Sequence, residues 1–128
     1  MANTAVAATA LALNTPVALV PGTTGTAIAH ANTHVITPAG PLGKLVVIAT
    51  NTTAAEKVVT ILAGDNPPAN AKGIGNVTMT LGAGNVTPTN NVVVLEGARF
   101  LQDDGTIHIT VAADMTGRIL AYQLPPGA

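Results

Sequence analysis

Thr106-Ile107-His108-Ile109-Thr110-Val111 alternates strictly between aliphatic and polar side chains. A period of two is that of a β-strand with one face buried, so Ile107, Ile109 and Val111 are expected inside and Thr106, His108 and Thr110 outside. Turn chemistry brackets the run. Asp103-Asp104-Gly105 precedes it, and Asp114-Met115-Thr116-Gly117 leads into a further strand from Arg118 to Leu124 that Pro125-Pro126 ends. Upstream, Asn91 to Glu96 reads as a strand, Gly97 as a break and Phe100 to Gln102 as a short strand.

The same grammar extends toward the N-terminus. Val, Ile and Thr suit a pleated surface, and the strong helix formers Glu, Lys, Arg and Gln are scarce. Lys44 to Thr50 carries Leu45-Val46-Val47-Ile48, apolar on both faces, and is expected as a central strand. Lys57 to Ala63 follows after the short polar connection Asn51 to Ala55, and the pair predicts an antiparallel hairpin. Gly64-Asp65-Asn66-Pro67-Pro68 stops that run. Gly75-Asn76-Val77-Thr78 and Gly84-Asn85-Val86-Thr87 repeat one phrase around a short strand at Val77 to Leu81. Val17 to Val20, Thr26 to Ala31 and His34 to Thr37 read as edge or connecting strands among Pro16, Pro21-Gly22, Gly25 and Pro38. Ala2 to Leu13 is Ala-rich, but Asn3, Thr4 and Thr9 interrupt it and no charged face accompanies it, so it is expected as an extended arm or edge strand rather than a helix. About eight strands joined by Gly and Pro turns predict an all-β chain: a single antiparallel β-sandwich or jelly-roll-like domain over residues 26–128, with an N-terminal arm over 1–25.

Composition limits the partners. The chain of 128 residues has 48% hydrophobic residues but only 9% charged ones, against about 25% charged in a usual globular domain. A surface so poor in charge is expected to be covered by neighbours, because charge is what keeps strand edges and apolar patches apart. Lys44, Lys57, Lys72, Arg99 and Arg118 are scattered singly and the net charge is −1, which speaks against nucleic acid. No apolar run is long enough for a membrane helix. Met1 to Leu13 lacks the leading cations of a secretory signal and is read as mature protein.

The residues that carry chemistry are few. Ser and Cys are absent, which removes Ser-His-Asp and thiol nucleophiles and any disulfide or thiolate metal site. His30 and His34 are four apart; on strands that places them on one face roughly 13 Å apart, too far to share an ion. His108 belongs to the polar face, as a solvated or interface histidine. Asp103 and Asp104 are adjacent on a turn, a poor geometry for an acid/base pair, and the spaced ligands of a Ca²⁺ loop do not follow. Gly73-Ile74-Gly75 lacks the rest of a nucleotide-binding fingerprint. Asn51-Thr52-Thr53, Asn76-Val77-Thr78 and Asn85-Val86-Thr87 match the glycosylation acceptor, a pattern that a chain rich in Asn and Thr produces by chance. Phe100 and Tyr122, the two large aromatics, are expected to fill one end of the core. No cofactor and no small-molecule substrate is implied.

His34-Val35-Ile36-Thr37-Pro38, Lys44 to Thr50, Glu56 to Pro68, Glu96-Gly97-Ala98-Arg99-Phe100, Asp103 to His108 and Asp114-Met115-Thr116-Gly117 together resemble the small head-decoration, or minor capsid, proteins of tailed bacteriophages. The likeness covers roughly residues 33 to 125 and lies in strand-and-turn phrasing rather than a catalytic signature. It implies a non-enzymatic virion protein on the capsid surface, often trimeric, whose partners are its own copies and a major capsid protein. The family transfers no fixed functional residues. On physical grounds the interface is expected at Leu11, Leu13, Val17, Leu19 and Val20 of the arm, which offers a strand to a neighbour's sheet edge, and at His30 and His34. A tail-tube or fibre subunit and a β-sandwich adhesion module are the alternatives of the same structural kind, and a small hydrolase or sugar-binding enzyme is the alternative of another.

Overall fold

The computed structural model describes residues 3–18, 24–38, 44–62, 76–84, 86, 89–96, 100 and 105–124. The described residues form nine strands and no helix: β1 (Asn3–Ala10), β2 (Thr26–Ala27), β3 (Thr33–Thr37), β4 (Lys44–Asn51), β5 (Lys57–Ile61), β6 (Val77–Leu81), β7 (Thr89–Glu96), β8 (Ile107–Val111) and β9 (Gly117–Gln123). They join in one mixed sheet of order β6-β5-β8-β3-β1-β9-β4-β7, with β2 added to β9. The sheet curls until its two end strands approach. Asn91 Nδ2 donates to the Thr80 carbonyl at 3.2 Å and Thr89 Oγ1 to the Gly82 carbonyl at 2.7 Å. The result is all-β, as expected, and nearly barrel-shaped rather than clearly a sandwich or jelly-roll.

The decisive stretch behaves as its period requires. In β8, Ile107 and Ile109 are fully buried, while His108 and Thr110 remain half-buried on the other face. Val111 is half-buried and packs against the core from its margin. The rest of the core comes from the same alternation elsewhere: Val6, Ile36, Leu45, Val47, Val59, Ile61, Met79, Leu81, Leu95 and Ile119 all point inward. Each fully buried aliphatic of this size stabilises the fold by about 1.5–3 kcal/mol.

Three expectations need correction. First, β1 is neither an arm nor an edge strand. It runs parallel to β3 over residues 3–7 and parallel to β9 over 8–10, and so joins the two halves of the sheet. Val6 is 2% exposed and belongs to the core. Parallel neighbours also make the sheet mixed where an antiparallel one was expected; the connection a β1–β3 parallel pair requires, a dozen or more residues, is supplied by residues 11–32.

Second, β4 and β5 do not form a hairpin. β4 pairs with β7 and β9, whereas β5 pairs with β6 and β8. The segment between them is a corner that carries the chain from one half of the sheet to the other. Asn51, fully buried, builds it: its Oδ1 accepts from the Thr53 amide at 2.9 Å, and its Nδ2 donates to the carbonyls of Ala55 at 3.0 Å and Gly82 at 2.8 Å. A side chain that bonds its own backbone two residues on starts a turn and ends the strand. Third, Phe100 is buried in the core, but Tyr122 is half-buried on β9 beside Val46 and does not belong to the core cluster, so the two rings do not fill the core together.

Other expectations are met with adjustments. Val77–Leu81 is a strand, and β4 is interior, with Leu45, Val47 and Ala49 buried but Val46 and Ile48 only half-buried, so its second face is less covered than expected. β3 is interior, flanked by β1 and β8, so of the segments expected as edge or connecting strands only Thr26–Ala27 (β2) is a strand at an edge. Of Val17 to Val20, the described residues 17 and 18 are not strand; Leu19 and Val20, the Gly64 to Pro68 stop and Asp103-Asp104 lie outside the described residues. The turn into β9 is as expected: Asp114 has φ 63° and Gly117 φ 143°.

Candidate interaction face

β7 reads Thr-Asn-Asn-Val-Val-Val-Leu-Glu, and its pleat divides the valines. Leu95 is buried and Val93 half-buried on the inner face, whereas Val92 and Val94 point outward and are 63% and 57% exposed. The register extends this outward face across two more strands. Val94 stands beside Val46, which stands beside Tyr122; Val92 stands beside Ile48, which stands beside Leu120. Residues paired across a sheet share a face, so two apolar rows cross β7, β4 and β9. Leu120 is 7% exposed, while Val46, Ile48 and Tyr122 are half-buried.

Polar groups frame the rows. Along one side run Asn90, Thr50 and Arg118, with Thr50 Oγ1 donating to Asn90 Oδ1. Arg118 turns its guanidinium to the β1–β2 connection, donating from Nε to the Thr24 carbonyl at 3.1 Å and from Nη2 to that of Gly25 at 2.6 Å. On the other side the register opposes Lys44 and Glu96. Between the two borders the six positions carry no charge. β7 is also an end of the ladder path, facing β6 through side-chain bonds rather than through a ladder.

Cations elsewhere are used to fix loops. Lys57 Nζ donates to the Ala113 carbonyl at 2.8 Å. Above it a threonine cluster ties the β4–β5 corner to the β8–β9 turn: Thr52 and Thr116 hydroxyls lie 2.7 Å apart, and the Thr116 amide donates to Thr53 Oγ1 at 3.0 Å.

The residues singled out from sequence are dispersed. Leu11 is half-buried and continues the β1–β9 pairing, its amide donating to the Gln123 carbonyl at 2.8 Å. Leu13 is 73% and Val17 43% exposed, on a stretch that turns at Asn14, φ 57°. Leu19 and Val20 lie outside the described residues. His30 sits in the turn before β3, its Nε2 4.0 Å from Asp114 Oδ1. His34 is inside β3 with no exposed surface, so its ring offers a partner nothing to touch. His30 and His34 thus do not share a strand face. Among the described residues no three His, Cys, Asp or Glu side chains come together as a metal site would require.

The face on β7, β4 and β9 was half legible. Leu45 to Ile48 and Val92 to Leu95 stand out in the sequence as apolar runs, but their adjacency and the choice of exposed valines depend on register. Compared with family models, curated proteins and solved structures, the chain matches none.

Proposed function

We propose that this chain is a structural protein of the virion that decorates and cements the outside of a tailed-phage capsid, acting as a trimer without catalysis or cofactor. Its partners in this reading are its own copies and a major capsid protein. The observation that carries it is the uncharged face of Val92, Val94, Val46, Ile48 and Tyr122, left outward on the end strand of a chain with only 9% charged residues. Such a face is stabilised when a neighbour removes it from water, by about 25 cal/mol per Å² of apolar area. The strand-and-turn likeness to head-decoration proteins supplies the identity of that neighbour. The body in this reading is sandwich-like, its layers, β6-β5-β8-β3 and β9-β4-β7, sharing β1.

The test is to mix the purified protein with bare capsids and with mature, undecorated capsids and to measure bound copies by sedimentation. Saturable, stoichiometric binding supports the proposal. Rings or filaments formed by the protein alone, with no binding to shells, would replace it with a tail-tube or fibre subunit.

A further inference from the structure

Among the described residues, His34 carries a fully buried imidazole. It stands at the second position of β3, on the inner face with Ile36, between Thr4 of β1 and Ile109 of β8, and it is 0% exposed. Its Nε2 accepts a hydrogen bond from the Ala29 amide at 3.1 Å. An acceptor at Nε2 fixes the neutral tautomer, with the proton on Nδ1. Nδ1 makes no well-formed hydrogen bond, although the Ile109 backbone lies close enough to act on the ring.

Ala29 belongs to the β2–β3 connection, and that connection is a clasp. The Ile28 amide donates to the Gly117 carbonyl at 2.9 Å, the Asn32 amide closes a turn on the Ala29 carbonyl at 2.9 Å, and Asn32 Nδ2 reaches Thr4 Oγ1 of β1 at 2.9 Å. Among these bonds, the one to His34 fastens the clasp to the interior. We propose that His34 is a proton-operated latch: uncharged, its ring pins the β2–β3 connection, and protonation releases that connection together with the start of β1.

The chemistry is local. A second proton has to go on Nε2, where it turns the acceptor into a donor that faces the Ala29 N–H. The charge would also be buried with no counter-ion beside it among the described residues. Thr4 from β1, Ile109 from β8 and Ala29 from the clasp face the ring, and none ionises. His108 lies on the opposite face of β8, and His30 turns outward to Asp114. Burial therefore holds the His34 pKa below the ordinary histidine value, while the Ile109 backbone acts more weakly in the other direction. The sign follows: the unfolded or released ring binds the proton more tightly, so the latch is fully closed above about pH 6.5 and weakens as pH falls below that.

His30, in the same connection, forms a second ionisable contact, its Nε2 4.0 Å from Asp114 Oδ1. The experiment must separate the two. We would follow histidine ring ¹⁵N shifts and amide hydrogen exchange by NMR between pH 7.5 and pH 5 in the wild type, in His34→Gln and in Asp114→Asn. In the wild type, His34 should show the Nδ1-H tautomer. The protection of Ala29 and Asn32, corrected for intrinsic exchange, should fall by up to about tenfold per pH unit below pH 6.5, while the amides of β4 and β9 keep theirs. Glutamine can still accept from Ala29 but cannot be protonated, so His34→Gln should remove the pH dependence, and Asp114→Asn should retain it. An Nε2-H tautomer, constant Ala29 protection while His34 titrates, or loss of protection in β4 and β9 in step with Ala29 would each overturn the latch. The wild-type titration decides even if His34→Gln fails to fold.

Discussion

Asn51 and Gly117 meet at the end of the β4–β9 ladder, where the register pairs them directly. Asn51 satisfies both of its amide protons and its carbonyl oxygen with backbone groups from three places, Thr53, Ala55 and Gly82. Asn51→Asp would turn a carboxylate oxygen toward two carbonyls, and Asn51→Leu would leave those carbonyls and the Thr53 amide unsatisfied. We expect either to cost about 2–4 kcal/mol, read as a lower urea midpoint with unchanged slope. Gly117 has φ 143°, and a Cβ there would fall on the Thr50 carbonyl oxygen. Gly117→Ala should therefore cost about 3 kcal/mol or more, from backbone strain and overpacking together; a thermal shift within a degree of wild type would refute this. Neither role was legible from the sequence. Asn51 reads as the first residue of a polar connection and Gly117 as one turn glycine among several, because nothing local records that Gly82 and Thr50 lie across from them.

Among the elements, β1 and β7 carry the functional argument. β1 links the two halves of the sheet through parallel ladders on opposite sides, and it contributes Val6 to the core. We predict that deleting residues 2–10 unfolds the chain, with loss of the β-sheet circular dichroism signal; a folded truncation would mean that β3 and β9 can close without it. β7 presents Val92 and Val94 outward on an end strand. The double variant Val92→Lys, Val94→Lys removes no core contact and adds charge of the kind that protects edges, so stability should change by less than about 1 kcal/mol. Binding to shells, or self-association, should drop at least tenfold in the same variant. Unchanged binding would move the interface to another face. The β8 alternation was readable because its period is set by one buried face. The β4–β5 pairing was misread because a five-residue polar connection fits a hairpin and a corner equally well, and only the tertiary partners of Asn51 separate them.

For the whole molecule, scarcity of charge was the strongest sequence signal, and the structure gives it a location. Arg118 and Lys57 are spent on loop carbonyls, so the outward rows on β7, β4 and β9 are left without ions. A face of this kind should associate more, not less, as salt rises, since apolar contact is not screened. Measuring capsid binding between low and high ionic strength checks this, and a steep loss with salt would point instead to the charged borders. By itself the sequence determined the all-β class, most strand positions, the inward set of β8 and the absence of Ser and Cys chemistry, because composition and a period of two are local properties. Only the tertiary structure decided that β1 is interior, that the sheet is mixed and nearly closed, that His34 is buried and that Val92 and Val94 are exposed. Those depend on which strands pair and in what register, and pairing is settled by contacts between residues far apart in the chain.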